Sequence, residues 1–137
     1  MTEGEVETVM FFRTKPDTAT TGRLGETFAA EYLVRQGYVI VEKNYRRPFG
    51  EIDIVARERG VLVFVEVKTR HASGYGTPVE AVDARKQRQL SRIAQDYLLN
   101  GRLIDTAARF DVIGVILDAH NRPAEIELIK DAFDFVG

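Results

Sequence analysis

The sequence predicts an α/β domain, a mixed five-stranded sheet flanked by helices in the order αβββαββ. Three observations carry this. Apolar residues recur at helical spacing in two separate segments, one around Phe28 and one around Leu90. Between them lie two adjacent extended runs, both rich in β-branched residues on each face, which calls for cover on both sides of a sheet. Two further extended runs close the chain, and strands interleaved with helices make layered α/β structures. At 137 residues, with 45% hydrophobic and 29% charged, the chain has the size and balance of one folded domain.

Residues 1–19 mix acidic and Thr-rich stretches with Pro16 and hold no sustained period, so they read as a flexible N-terminal arm before a single domain over 20–137. Leu24, Phe28, Ala29, Tyr32 and Leu33 mark a helix from Gly22 to Gln36, with Thr20 or Thr21 as its cap and Gly37 as its stop. Tyr38 to Val41 reads as a strand, followed by polar residues to Asn44 and then Tyr45 to Pro48. The next strand spans Phe49 to Arg57 and the third Val61 to Thr69, turning at Arg59 and Gly60. After the loop HASGYGTP, Val79 to Asn100 is helical, with two candidate starts. Thr77 and Glu80 have the spacing of a capping box with Pro78 at the first position, while Asp83 suits a later cap. Phe110 to Leu117 is an apolar strand interrupted by Gly114, and Glu125 to Lys130 alternates like a sheet-edge strand.

The hairpin GEIDIVARERGVLVFVEVKTR, Gly50 to Arg70, carries charges where a core hairpin carries apolar side chains. If Arg59 and Gly60 form the turn, Glu58 pairs with Val61 and Asp53 falls opposite Glu66. The two-residue period puts Lys68 on the face of Glu66, opposite Glu51. Opposed carboxylates repel unless a cation or a shared proton compensates. A divalent metal with oxygen ligands, Mg²⁺ or Mn²⁺, answers this, with the backbone carbonyl of Val67 as a further ligand. Beside such an ion, Lys68 is placed to orient water and stabilise a phosphate oxygen, a constellation suited to phosphodiester hydrolysis. A solvated surface hairpin is the competing reading. It is weakened by the interruption of the apolar run VLVFVEV and by the cost of leaving carboxylates unpaired in a covered sheet.

Composition narrows the partners. The chain has no cysteine, which excludes disulfides, thiolate metal sites and a cysteine nucleophile, leaving oxygen ligands or His71 and His120 for any metal. The N-terminus is acidic where a signal peptide is basic and no apolar run reaches membrane length, so a cytoplasmic protein is expected. The net charge of −2 conceals a basic centre: residues 43–102 carry +5, against −3 before and −4 after. A polyanion such as DNA would dock there, with a merely solvated charged surface as the competing reading. Arg46 and Arg47 before the second strand, Arg70 after the third, and Lys86 and Arg88 on the second helix are candidate phosphate contacts, whereas Arg85 and Arg92 are expected to face solvent. Tyr75 in the Gly-rich loop is placed to stack on a base or sugar, and Asp111 is expected to be a structural hydrogen-bonding partner outside the metal shell.

Asp53 followed after twelve residues by Glu66-Val67-Lys68 resembles the PD-(D/E)XK nuclease signature, although no proline precedes the Asp. More narrowly, GRLGETFAAEYL, NYRRPFGEIDIVARE, LVFVEVKTR and RFDVIGV closely resemble the YraN family, uncharacterised protein family 0102, which is similar to archaeal Holliday-junction resolvases. The resemblance covers residues 21 to 117. It implies a restriction-endonuclease-like core with Asp53 and Glu66 as metal ligands, Lys68 as the catalytic lysine and Glu26 as an additional acidic residue near the metal. By itself Glu26 lies at the border of its helix's apolar arc, where a solvated Glu is common. The expected function is a metal-dependent, structure-selective endonuclease of DNA repair or recombination, with a non-catalytic DNA- or protein-binding module as the alternative. The resemblance also makes a homodimer plausible, and a protein partner is a further expectation.

Overall fold

The computed structural model describes residues 18–71 and 77–136, and Tyr75 lies outside them. The elements run α1 (Thr18–Arg35), β1 (Val39–Arg47), β2 (Gly50–Glu58), β3 (Val61–Arg70), a 3₁₀ turn (Pro78–Ala81), α2 (Ala84–Asn100), β4 (Ala108–Leu117) and β5 (Pro123–Phe133). This is the expected αβββαββ order, in one five-stranded sheet arranged β1-β2-β3-β4-β5. Only β3 and β4 are parallel, because α2 carries the chain back across the sheet between them; the other neighbours pair antiparallel. Among the described residues no helix is long and apolar enough to cross a membrane.

The sheet is covered on both faces, as the β-branched strands require. Ala29, Ala30 and Leu33 of α1 pack with Ile54, Val63, Val65, Ile113 and Val115 on one side. Leu90, Ile93, Ala94 and Leu98 of α2 pack with Val55, Leu62, Phe64, Phe110 and Val112 on the other. Burying side chains of this size contributes about 1.5–3 kcal/mol each, so β3 and β4, apolar on both faces, anchor the domain.

Several boundaries depart from the sequence reading, each for a physical reason. Helix α1 begins at Thr18, inside the expected arm of residues 1–19 and four residues before Gly22. The two expected strand pieces at 38–41 and 45–48 are one strand, β1, held to β2 across a register shift between Ile40 and Glu42, so the polar residues between them lie in an edge strand. Both candidate starts of the second helix are used. The N–H of Thr77 donates to Glu80 Oε1 at 3.0 Å to open the 3₁₀ turn, and the Asp83 carboxylate accepts from Lys86 N at 2.9 Å to cap α2. Gly114 does not interrupt β4. It stays in the ladder opposite Lys68, and a Cβ there would overlap Pro78. The last strand extends to Phe133, whose ring stacks on Phe110 at 4.7 Å between centroids, with Phe135 packed at 4.5 Å from the same ring.

At the turn end of the β2–β3 hairpin a charged network is buried. Asp111 is fully buried and accepts from Tyr38 Oη at 2.6 Å, Arg109 Nε at 2.9 Å and Asp131 N at 2.9 Å. Arg109 also reaches Glu58 Oε1 at 2.7 Å, and Lys130 meets the other oxygen of Glu58 at 2.8 Å. Burial first, and then Asp111, raises the Tyr38 phenol well above its ordinary range, while the hydrogen bonds of Lys130 and Arg109 hold the Glu58 carboxyl below its own. Asp111 is thus the structural partner that the sequence suggested.

Candidate metal centre

The hairpin register follows the turn as expected. Glu58 pairs with Val61, and the ladder continues through Val55–Phe64 to Ile54–Val65. There it stops. Asp53 and Glu66, the next expected pair, are not joined in the ladder, because Asp53 turns its carboxylate onto the strand and Oδ2 accepts from Val67 N at 2.8 Å. Beyond this point β2 stays with β1 as far as Arg47–Gly50, while β3 stays with β4 as far as Arg70–Ile116. The two central strands therefore fork, with Asp53 in the crotch.

The fork also breaks the face alternation of β2. Ile52 belongs to the cluster under α2 and Ile54 to the cluster under α1, although residues two apart ordinarily share a face. On β1 the partners of this region are Tyr45 opposite Ile52 and Lys43 opposite Ile54, and Asn44 between them has a left-handed backbone, φ 54°. Asparagine tolerates that conformation better than most side chains. Groups from both faces of the sheet consequently meet at Asp53.

From the α1 face comes Glu26. Its helix lies close against β3 because residue 25 is glycine, and a Cβ there would overlap the Thr69 side chain. Carboxylate oxygens of Glu26, Glu51 and Asp53 lie within 4.8 Å of one another, so this acidic triad could hold a metal ion. From the α2 face comes Glu66, which is nearly buried and touches Asp53. Two ammonium groups face it: Lys68 Nζ at 3.6 Å and Lys86 Nζ at 3.7 Å from Oε2. Burial, and next the charge of Glu66, pushes the Asp53 carboxyl up to about 8, with the Val67 N–H opposing and Glu26 adding to the rise. Crowded hard oxygens of like charge are the donor set that suits a hard divalent cation.

The site brings together Glu26, Asp53, Glu66 and Lys68, with Val67 engaged through its N–H where its carbonyl was the expected ligand, and the acidic triad also differs from the expected set in two side chains. Glu51 takes a place in the triad, and Glu66 stands beside it. The period-2 pattern already put Glu51 on the strand next to Asp53, but its role required the fork. Asn44 carried no signal in the sequence. Its Nδ2 donates to Glu26 Oε1 and to Glu51 Oε2, both at 2.9 Å, and so holds two like charges together. Asn44→Gly, which keeps the positive φ, is expected to weaken Mn²⁺ binding about 10-fold by titration calorimetry. Unchanged affinity would show that the amide does not organise the triad.

The candidate phosphate contacts divide. Arg46 is largely exposed and pairs with Glu51 at 3.0 Å at the mouth of the site. Arg47 is committed to structure: Nε meets Asp96 of α2 at 2.6 Å, and its guanidinium lies 4.3 Å from the Tyr45 ring centroid. Arg70 ends β3 half-buried, Lys86 reaches into the site, and Arg88 is exposed on α2. Arg85 and Arg92 are exposed, as expected, although the Arg92 guanidinium lies over the Phe49 ring, 4.1 Å from its centroid. His71 hydrogen-bonds Asn121 at 2.6 Å, and neither histidine joins the triad.

The profile of Uncharacterised protein family UPF0102 matches residues 25–115, which is well over half of the chain. The chain belongs to this family. UPF0102 relatives include proteins of Moorella thermoacetica, 49% identical over 82% of this chain and 93% of its own, and Trichlorobacter lovleyi, 52% identical over 82% and 89%. A third, from Geotalea daltonii, is 48% identical over 88% and 94%. The matched segment contains every residue of the candidate site described above, from Glu26 to Lys86. Among solved structures, Pyrococcus furiosus SfsA in complex with Ca²⁺ covers 83% of this chain and 64% of its own at 14% identity and a TM-score of 0.37, too distant to bear on function.

Proposed function

We propose that this UPF0102 protein hydrolyses phosphodiester bonds in DNA with Mg²⁺ or Mn²⁺, as a structure-selective endonuclease of repair or recombination. The observation that carries the reading is the fork. It gathers Glu26, Glu51 and Asp53 within 4.8 Å and sets Glu66 with Lys68 and Lys86 against them. The chemistry a divalent cation supplies when bound is neutralisation of charge at a phosphate oxygen and a lower pKa for attacking water.

The chain's own groups do the rest. Asp53, Glu26 and Glu51 would hold the cation, and the Glu66 carboxylate, pinned by two ammonium groups, would be available to it beside Asp53. The Val67 N–H fixes one Asp53 oxygen and leaves the other to face the site. Lys68, about one-third exposed, is positioned to orient water and to stabilise charge on the departing or bridging oxygen. The test is cleavage of duplex, single-stranded, flap and four-way DNA by purified protein with Mg²⁺ or Mn²⁺. Cleavage is expected, and Asp53→Asn and Lys68→Ala are each expected to lower it at least about 100-fold. DNA that is bound yet uncut with either metal would leave a non-catalytic binding module, and equal cutting by both variants would end the site assignment.

A further inference from the structure

We infer that one strand of the nucleic acid follows a path from Arg23 of α1, across the carboxylates, to Arg85, Arg88 and Arg92 of α2. This rests on the proposed function and names the path that its polyanionic substrate takes. The path crosses three pockets. One is lined by Arg23, Glu26, Asn44, Arg46 and Glu51, and the second shares Arg46 and Glu51 and adds Asp53 and Lys86. The third, lined by Phe49, Arg85, Arg88 and Arg92, shares no residue with the second but adjoins it at the chain neighbours Phe49–Gly50 and Arg85–Lys86.

Its charge is ordered. Carboxylates occupy the centre, where a cation-bound phosphate belongs, and guanidinium groups stand at either end, where flanking phosphates would pass. Arg85, Arg88 and Arg92 are spaced three and four residues apart and so share one face of α2. An ordinary solvated helix face mixes both signs. This one does not: α2 contains four basic residues and a single acid, Asp96, which is turned to Arg47 and Tyr45. Among the described residues no ion pair engages Arg85, Arg88 or Arg92.

The wall is also built rather than incidental. Gln89 Nε2 donates to the Phe49 carbonyl at 2.8 Å, and Arg47 is tied to Asp96, so the β1–β2 turn is clamped to α2. Gly50 permits the approach, since a Cβ there would meet the side chains of Gln89 and Ile93. The Arg92 guanidinium carbon lies 4.1 Å from the Phe49 ring centroid, a cation–π contact that holds this exposed arginine beside the turn.

The experiment measures binding of labelled single-stranded and duplex oligonucleotides by fluorescence anisotropy, in EDTA and in Ca²⁺, across a salt series. The variants are the combined Arg85→Gln, Arg88→Gln, Arg92→Gln protein, Arg23→Gln, and a control, Arg57→Gln with Arg59→Gln, near the opposite end of the hairpin. Thermal melting checks that each is folded. The α2 variant is expected to bind about 10–100-fold more weakly at low salt and to lose about 2–3 units of the slope of log affinity against log salt, at 0.7 per contact for single strands and 0.9 for duplex. Arg23→Gln loses about one contact's share of that slope, and the control loses none. Wild-type binding left unchanged in the α2 variant, or an equal loss in the control, would overturn the path while leaving the proposed function intact. A wild-type protein that neither binds nor cuts nucleic acid would overturn both.

Discussion

Asp53→Asn is expected to remove the stabilisation that Mg²⁺ or Mn²⁺ gives the folded protein and, in metal-free buffer, to make that protein more stable above neutral pH. The Asp53 carboxyl is pushed up to about 8 by burial and by Glu66, whereas an unfolded Asp titrates near 3.9. The folded state therefore holds this proton more tightly. Its contribution to stability is complete below about pH 4, declines as pH rises, and is lost by pH 8. Asparagine cannot titrate, so the decline vanishes. Between pH 5 and pH 8 the variant gains about 2–3 kcal/mol on the wild type, less than the full pKa difference because water and side-chain movement relieve part of the repulsion. A divalent cation at 100 times its dissociation constant restores about 2.7 kcal/mol to the wild type and nothing to the variant. Urea titrations in EDTA and in Mn²⁺ measure both effects. Parallel pH profiles for the two proteins would show that Asp53 is not under strain.

The second large effect lies in the buried network around Asp111, which reaches the turn end of the hairpin through Glu58 and shares no residue with the metal centre. Asp111→Ala is expected to cost about 3–5 kcal/mol, because it strips the largely buried Arg109 of a charged partner and leaves Tyr38 Oη and Asp131 N without their acceptor. Asp111 stands on β4 opposite Val65 and shares the α1 face with Ile113, whereas the neighbouring Glu66 shares the α2 face with Phe64, so the sheet lies between the two side chains. Mn²⁺ affinity at low temperature therefore stays at the wild-type value while the denaturation midpoint falls. The same network sets an acid limit. Glu58 is held below its ordinary range by Lys130 and Arg109, so its contribution is present above about pH 4.3 and disappears as pH falls through the lowered value. A destabilisation under 1 kcal/mol in Asp111→Ala would mean that the buried charges are already hydrated.

These two ends of one hairpin show how far the sequence could be read. The turn at Arg59 and Gly60 set the register of every pair from Glu58–Val61 to Ile54–Val65, since a two-residue turn leaves no freedom in which residues oppose. The same counting expected Asp53 and Glu66 as a ladder pair, and the strands part at that point. Counting assumes that the ladder continues. Two carboxylates forced together, and an N–H at Val67 ready to donate to one of them, are what end it. Glu51 and Asn44 became part of the site only through that opening, because a broken alternation carries side chains to places that the two-residue period does not give them. The two helix starts at Thr77 and Asp83 stayed undecided for a different reason. Both caps are locally satisfied, and only the chain path, a 3₁₀ turn followed by α2, accommodates both.

What the sequence determined by itself is what depends on neighbours along the chain: the periods of the two helices, the turn and its register, the doubly apolar central strands, and the nearness of Asp53, Glu66 and Lys68. What only the tertiary structure decided depends on distant segments. Glu26 arrives because Gly25 lets α1 lie against β3, Asn44 bridges it to Glu51, and the arginines of α2 line up with the site because Gly50 and Gln89 draw that helix onto the β1–β2 turn. Close approach and the repulsion of buried charge act through space, and a linear pattern of residue types does not record them.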